Sequence, residues 1–177
     1  MVTLRATKKV LRLLPAVAND LPEPDNMLGD WFVNRLVVDR QPLLLLVSSR
    51  TLLPILAPAR SLRTFPDRLA DLVRRRLSRL GLDRAIIEAE IEAMGTVHVG
   101  PTNDRSVLGT LIDFAKVLPF YIEYEDWTTH LQSTLDAIES GLGETPCHLA
   151  SLPNQVVWPN ALTIEMLSAA SKTGKTV

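Results

Sequence analysis

The chain has 177 residues, 46% hydrophobic and 22% charged, and its 19 basic and 20 acidic side chains leave a formal net charge of -1. That length suits one core and that composition a globular chain, while near-neutrality excludes a long-range attraction of the whole molecule to nucleic acid or anionic lipid. The single cysteine, Cys147, excludes an internal disulfide, cannot by itself make a four-ligand zinc site, and points to a reducing, cytoplasmic setting.

In chain order, Met1 to Ala6 alternates apolar and polar residues as a half-buried strand does, and Thr7 is placed to cap a brief helix to Leu14 that Pro15 stops. Ala18 to Asn26, with Pro22, Pro24 and several acids, reads as a surface loop. Trp31 to Arg40 is rich in β-branched and aromatic residues and reads as a strand. Leu43 to Val47 and Thr51 to Ala57, joined by Ser48, Ser49 and Arg50, read as a hairpin buried on both faces. Pro54 has no amide hydrogen and assigns the second strand to a sheet edge or a bulge. Although Leu43 to Ala59 is the most hydrophobic stretch, Ser48, Ser49, Arg50, Pro54 and Pro58 interrupt it, and no membrane helix is expected.

Leu69, Leu72, Val73, Leu77 and Leu80 fall on one face of a helix opened by Thr64 and Asp67 and ended by Gly81. Ile87, Ile91 and Met94 form the stripe of a second helix that Asp83 can cap, so the two make an αα-hairpin. Thr96 to Val99 is a short β pattern that Gly100 and Pro101 turn away. Asn103 or Asp104 then caps a helix with its stripe at Val107, Leu108, Leu111, Ile112 and Ala115, closed by Pro119. A last amphipathic helix spans about Asp126 to Leu142, the prolines at 146, 153 and 159 predict irregular structure beyond Gly143, and 168–177 reads as a flexible tail. Strands early and helices late predict an α+β fold. The expectation is an antiparallel sheet of about four to five strands, formed mainly by the N-terminal half and packed on one side by amphipathic helices of the C-terminal half, in a single domain over residues 1–167.

Chemistry is sparsely signalled. Neither a phosphate-cradling glycine loop nor a dinucleotide fingerprint is present, and His98, His130 and His148 lack ligand spacing, so no catalytic residue, metal or cofactor is assigned. Cys147 and His148 are adjacent, an arrangement that rarely lets a thiol face its base, and Cys147 reads as structural. Two polar clusters, Gly29-Asp30-Trp31 and Pro101 to Ser106, are candidate binding loops. If they meet, Asp30, Asn34, Asp104 and Arg105 make a polar pocket with Trp31 as one wall; if not, Asp30 shapes a turn and Asn103 or Asp104 caps a helix. Arg68, Arg75 and Arg79 share a helix face and form a candidate patch for an acidic partner or a phosphate backbone, unless Glu88, Glu90 and Glu92 of the next helix neutralise them.

The segments Leu4 to Lys9, Leu28 to Trp31, Leu43 to Val47 with Leu52-Leu53-Pro54, and Pro101 to Gly109 resemble a family of small bacterial proteins described only as an uncharacterised domain, over roughly residues 1 to 150. The resemblance implies a bacterial, cytoplasmic, one-domain protein and brings no activity with it. Three functions are therefore expectations. The first is a non-catalytic binding, interaction or regulatory protein that meets a protein partner or a second copy through the apolar hairpin or the Arg-rich helix. The second is a small enzyme acting on nucleic acid or a phosphorylated ligand, with Asp30, Asp104 and Arg105 as its polar groups. The third is a nucleic-acid-binding module using the Arg-rich helix, for which 5% aromatic content leaves little to stack on bases.

Overall fold

The computed structural model describes residues 1–14, 17–18, 20–60, 62–122 and 127–173. Its main sheet takes β1 (Val2–Ala6), β2 (Trp31–Val38), β3 (Gln41–Ser48), β4 (Pro54–Pro58) and β5 (Val97–Pro101) in the order β4-β3-β2-β1-β5. β2, β3 and β4 form an antiparallel meander. Asp39 and Arg40, both at positive φ, close the β2–β3 connection as a two-residue turn whose twist matches its strands. Pro54 does lie on an edge strand, where its missing amide hydrogen is harmless. β1 pairs in parallel with both β2 and β5, so the sheet is mixed rather than wholly antiparallel.

The helices are α1 (Lys8–Leu11), α2 (Phe65–Arg79), α3 (Arg84–Met94), α4 (Arg105–Val117), α5 (Leu131–Gly143) and α6 (Pro159–Thr173), with a two-stranded ribbon of β6 (Cys147–His148) and β7 (Val156–Val157) before the last. They cover both sides of the sheet, not one. Side chains alternate across a strand, and the apolar run of β3 accordingly divides. Leu44 and Leu46 enter a core with Leu4, Trp31, Leu69 and Leu77. Leu43, Leu45 and Val47 enter a second core with Phe32, with Leu111 and Phe114 of α4, and with Leu135 and Ile138 of α5.

Several boundaries depart from the sequence reading. Gly100 and Pro101 continue β5 instead of turning the chain. The stretch beyond Gly143 is not irregular: it carries the ribbon and α6, in which Pro159 occupies the first turn, where a proline's absent amide hydrogen costs nothing. α6 also runs through 168–173, a stretch expected to fray, and 174–177 lie outside the described residues. So do Pro15, the expected stop of the first helix, and Asp126, the expected start of α5. No helix among the described residues is long and apolar enough to cross a membrane.

Candidate functional site

The two polar loops do approach each other, though not with the full expected set. α4 and α5 cover the second face of the sheet over β2, β3 and β4, whereas β1 and β5 are met by residues that precede β2. Among these the amide of Ala18 donates to the carbonyl of Val99 at 3.0 Å, that of Asp25 to the carbonyl of Met1 at 3.2 Å, and Leu21 packs onto Gly100. Where the two meet lies a cavity of about 240 Å³ whose walls include Arg5, Asp30, Arg50 and Asp104. Asp30 and Asp104 therefore converge.

The other three residues face elsewhere. Trp31, next along the strand from Asp30, points to the opposite face and is wholly buried in the first core. Asn34 accepts a hydrogen bond from the Thr7 hydroxyl at 3.0 Å and helps dock α1. Arg105, at the first position of α4, lines a separate cleft. Sequence reasoning missed Arg5 and Arg50. Arg5 sits in an alternating strand, and the local hint was a charge at a position that should be half buried.

Asp30 is anchored on both oxygens, accepting from the Thr3 amide at 2.9 Å and from Nε of Arg5 at 2.8 Å, with both side chains buried. Arg50 donates to the Asn26 carbonyl at 2.8 Å. It reaches there because Gly29, at φ +75°, has no Cβ to strike Ser49 and Arg50, so only glycine fits under this turn. Asp104 caps α4, one carboxylate oxygen accepting from the amides of Ser106 at 2.7 Å and Val107 at 3.2 Å.

The Arg-rich helix is largely committed inside the molecule. Arg75 and Arg79 reach the buried Glu139 carboxylate on α5 at 3.2 and 2.6 Å, and Arg79 also contacts Asp136. Between them Arg76, wholly buried, donates to the carbonyls of Pro54 and Glu139, each at 3.1 Å, and to Oδ1 of Asn160 on α6 at 2.5 Å. Glu139 also accepts from the Leu56 amide at 2.7 Å. Burial raises its carboxyl above the ordinary range, against the pull of that amide and the three guanidinium groups, and burial brings Arg76 down to about 10. Arg68 makes its bond to the Arg60 carbonyl. Of the acids on α3, Glu88 pairs with Arg74 at 3.0 Å, whereas Glu90 is buried and accepts from Asn26, Met27 and Leu28.

A different surface is apolar. The leucine-rich hairpin, a candidate interface from sequence, is interior throughout Leu43 to Val47 and Leu52 to Ala57. Val156 and Trp158 are among the exposed apolar side chains, and residues of the ribbon line two clefts. On the α4 side, about 420 Å³ opens between Phe114, Val117, Pro146 and Cys147. On the α6 side, about 510 Å³ opens among Leu152, Val156, Trp158, Leu162 and Met166. Val156 and Trp158 are 45% and 47% exposed at its mouth. The Cys147 thiol donates to the Thr145 carbonyl at 3.4 Å, and burial, aided by Asp113, pushes it up to about 11, so it is a neutral thiol rather than a nucleophile at neutral pH. Among the described residues no group of three or more His, Cys, Asp or Glu side chains is placed to hold a metal ion.

A mixed five-stranded sheet covered on both faces, with a small polar cavity at one seam, defines an α+β fold. The chain belongs to the family described as a domain of unknown function (DUF6933), whose model matches residues 3–162. No curated protein and no solved structure matches it.

Proposed function

We propose that the protein is a non-catalytic interaction protein of the bacterial cytoplasm, and that its docking surface is the apolar cleft between β7 and α6, which takes an apolar segment of a partner protein. The carrying observation is the half-exposed Trp158 beside Val156 at the mouth of a cleft of about 510 Å³. Tryptophan is enriched among the few residues that dominate interface energies. Glu165 and Gln155 supply a polar rim around that centre. The buried, unpaired Cys147 fits a reducing compartment.

The test compares the wild-type chain with Trp158→Glu as baits, after circular dichroism and thermal melts show both folded alike. A protein retained by the wild type is then purified and titrated against both chains. The reading requires saturable binding that Trp158→Glu weakens by at least about tenfold, a loss on the scale of one interface hot spot. Equal binding by the two baits, or light scattering that finds the cleft closed by a second copy, overturns it.

A further inference from the structure

The polar cavity at the seam of the second face has no part in that docking surface, and its chemistry is of another kind. Arg5 spends only its Nε on Asp30; its two terminal nitrogens have no hydrogen-bond partner among the described residues although the side chain is buried against the cavity wall. Arg50 is held at the rim by the carbonyls of Asn26 and Pro24, at 2.8 and 3.4 Å, and among the described residues it faces no carboxylate within ion-pair distance. In the same lining, Asp104 uses one oxygen on the helix cap and leaves the other unengaged among the described residues, and the exposed Glu23 is a second carboxylate. The sheet beneath is polar too. The Thr3 hydroxyl and Nε2 of His98 are cross-strand neighbours on β1 and β5, one step from Arg5 and Gly100 on the same face, and both are buried without a partner among the described residues.

Two guanidinium groups with free donors and two carboxylates with free acceptors in one lining select a ligand bearing both charges. A phosphate or a polyanion does not fit this balance, since Asp30, Asp104 and Glu23 outnumber Arg5 and Arg50 in the lining. Planar guanidinium forks match a carboxylate in geometry as well as sign. At about 240 Å³ the space lies below the ~300–1,000 Å³ of pockets for drug-sized ligands, which limits the occupant to a very small metabolite. We infer that this cavity binds a free α-amino acid, with its carboxylate on Arg5 and Arg50 and its ammonium on Asp104 and Glu23. Asp30 is then a positioning residue: it fixes the Arg5 stem from behind and leaves the terminal nitrogens to the ligand. This site stands apart from the β7–α6 cleft, so either can fail without the other.

Isothermal titration of the full chain with each of the common amino acids tests the assignment, with acetate, ethylamine and inorganic phosphate as single-charge probes. At least one amino acid is expected to bind saturably with Kd of about 1 mM or tighter, and acetate and ethylamine at least tenfold more weakly. Arg50→Gln and Asp104→Asn should each weaken it tenfold or more with unchanged unliganded melting temperatures, because Arg50 is at the surface and asparagine caps a helix as well as aspartate does. Trp158→Glu should bind the amino acid as the wild type does. The inference is overturned if no amino acid binds, if Arg50→Gln binds it as tightly as the wild type, or if phosphate alone binds and binds better to Asp104→Asn.

Discussion

Arg79 of α2 and Glu139 of α5 meet at 2.6 Å, and this contact is the outer end of an ionic cluster that runs inward through Arg76 to Asn160 and so ties α2, β4, α5 and α6 together. The Asn160 side chain is itself fixed by the Glu144 carboxylate at 2.7 Å. Removing one member of such a cluster leaves the others buried and unmatched. Glu139→Gln should therefore cost about 3–5 kcal/mol, and Glu139→Leu combined with Arg76→Met should cost less, since it removes the buried guanidinium together with the carboxylate although Asn160 and the Leu56 amide lose their partners. Urea unfolding of the three chains decides it: a double variant no more stable than the single would show that the charges themselves hold these elements together.

Two glycines should respond oppositely to alanine. At Gly143 the added methyl would collide with the Asn160 amide that receives Arg76, so Gly143→Ala should destabilise by about 1–3 kcal/mol. At Gly109, within α4, the methyl meets nothing, and Gly109→Ala should stabilise by about 0.5–1 kcal/mol. Thermal melts of both variants give the comparison.

Asp104 is expected to act on stability only through its cap. Asp104→Ala should lose about 1 kcal/mol and Asp104→Asn almost nothing. If both lose equally in chemical denaturation, the carboxylate charge rather than the accepted amide bonds supports α4.

For Cys147 the direction of the shift sets the sign of a pH effect. The folded thiol keeps its proton up to about 11, against 9.0 for the free group, so between those values the folded state binds more protons than the unfolded state. Its contribution is present below pH 9.0 and is lost as pH rises toward about 11. Cys147→Ala should flatten the alkaline limb of the stability profile, and maleimide labelling at neutral pH should be far slower in the native chain than in the unfolded one. Equal labelling rates would place the thiol in the open.

The sequence disclosed what depends on neighbours along the chain. β3 and β4 were readable from an unbroken apolar run with Pro54 marking an edge, and α2 to α5 from their stripes. That same run, apolar at every position of Leu43 to Val47, was also the signal for cover on both faces of the sheet. α6 was missed because Pro159 reads as a breaker although it begins a helix, and because two of the residues that seat it beside Leu167, Asn160 and Thr163, are polar. Thr163 donates to the Thr51 hydroxyl at 2.9 Å, a partner no local pattern announces. The parallel pairing of β1 was hidden for a similar reason, its neighbours lying far along the chain. In the polar cavity, Asp30 and Asp104 were visible as loop acids, but Arg5 and Arg50 gain their meaning only from residues that folding brings to them.

β1 precedes the other four strands of its sheet and ends between two of them, so its position has a consequence for the order of assembly. Once synthesis has passed Pro58, β1 to β4 can pair, yet the outer flank of β1 waits for Val97–Pro101 and for the α2–α3 excursion that delivers it. A nascent chain in that interval exposes a naked strand edge beside Val2 and Leu4, open to pairing with any other extended chain. Ribosomal pausing within α2 or α3 should therefore leave this edge open to aggregation, whereas a chain extended past β5 has closed it and waits only for α4 and α5 to cover the second face.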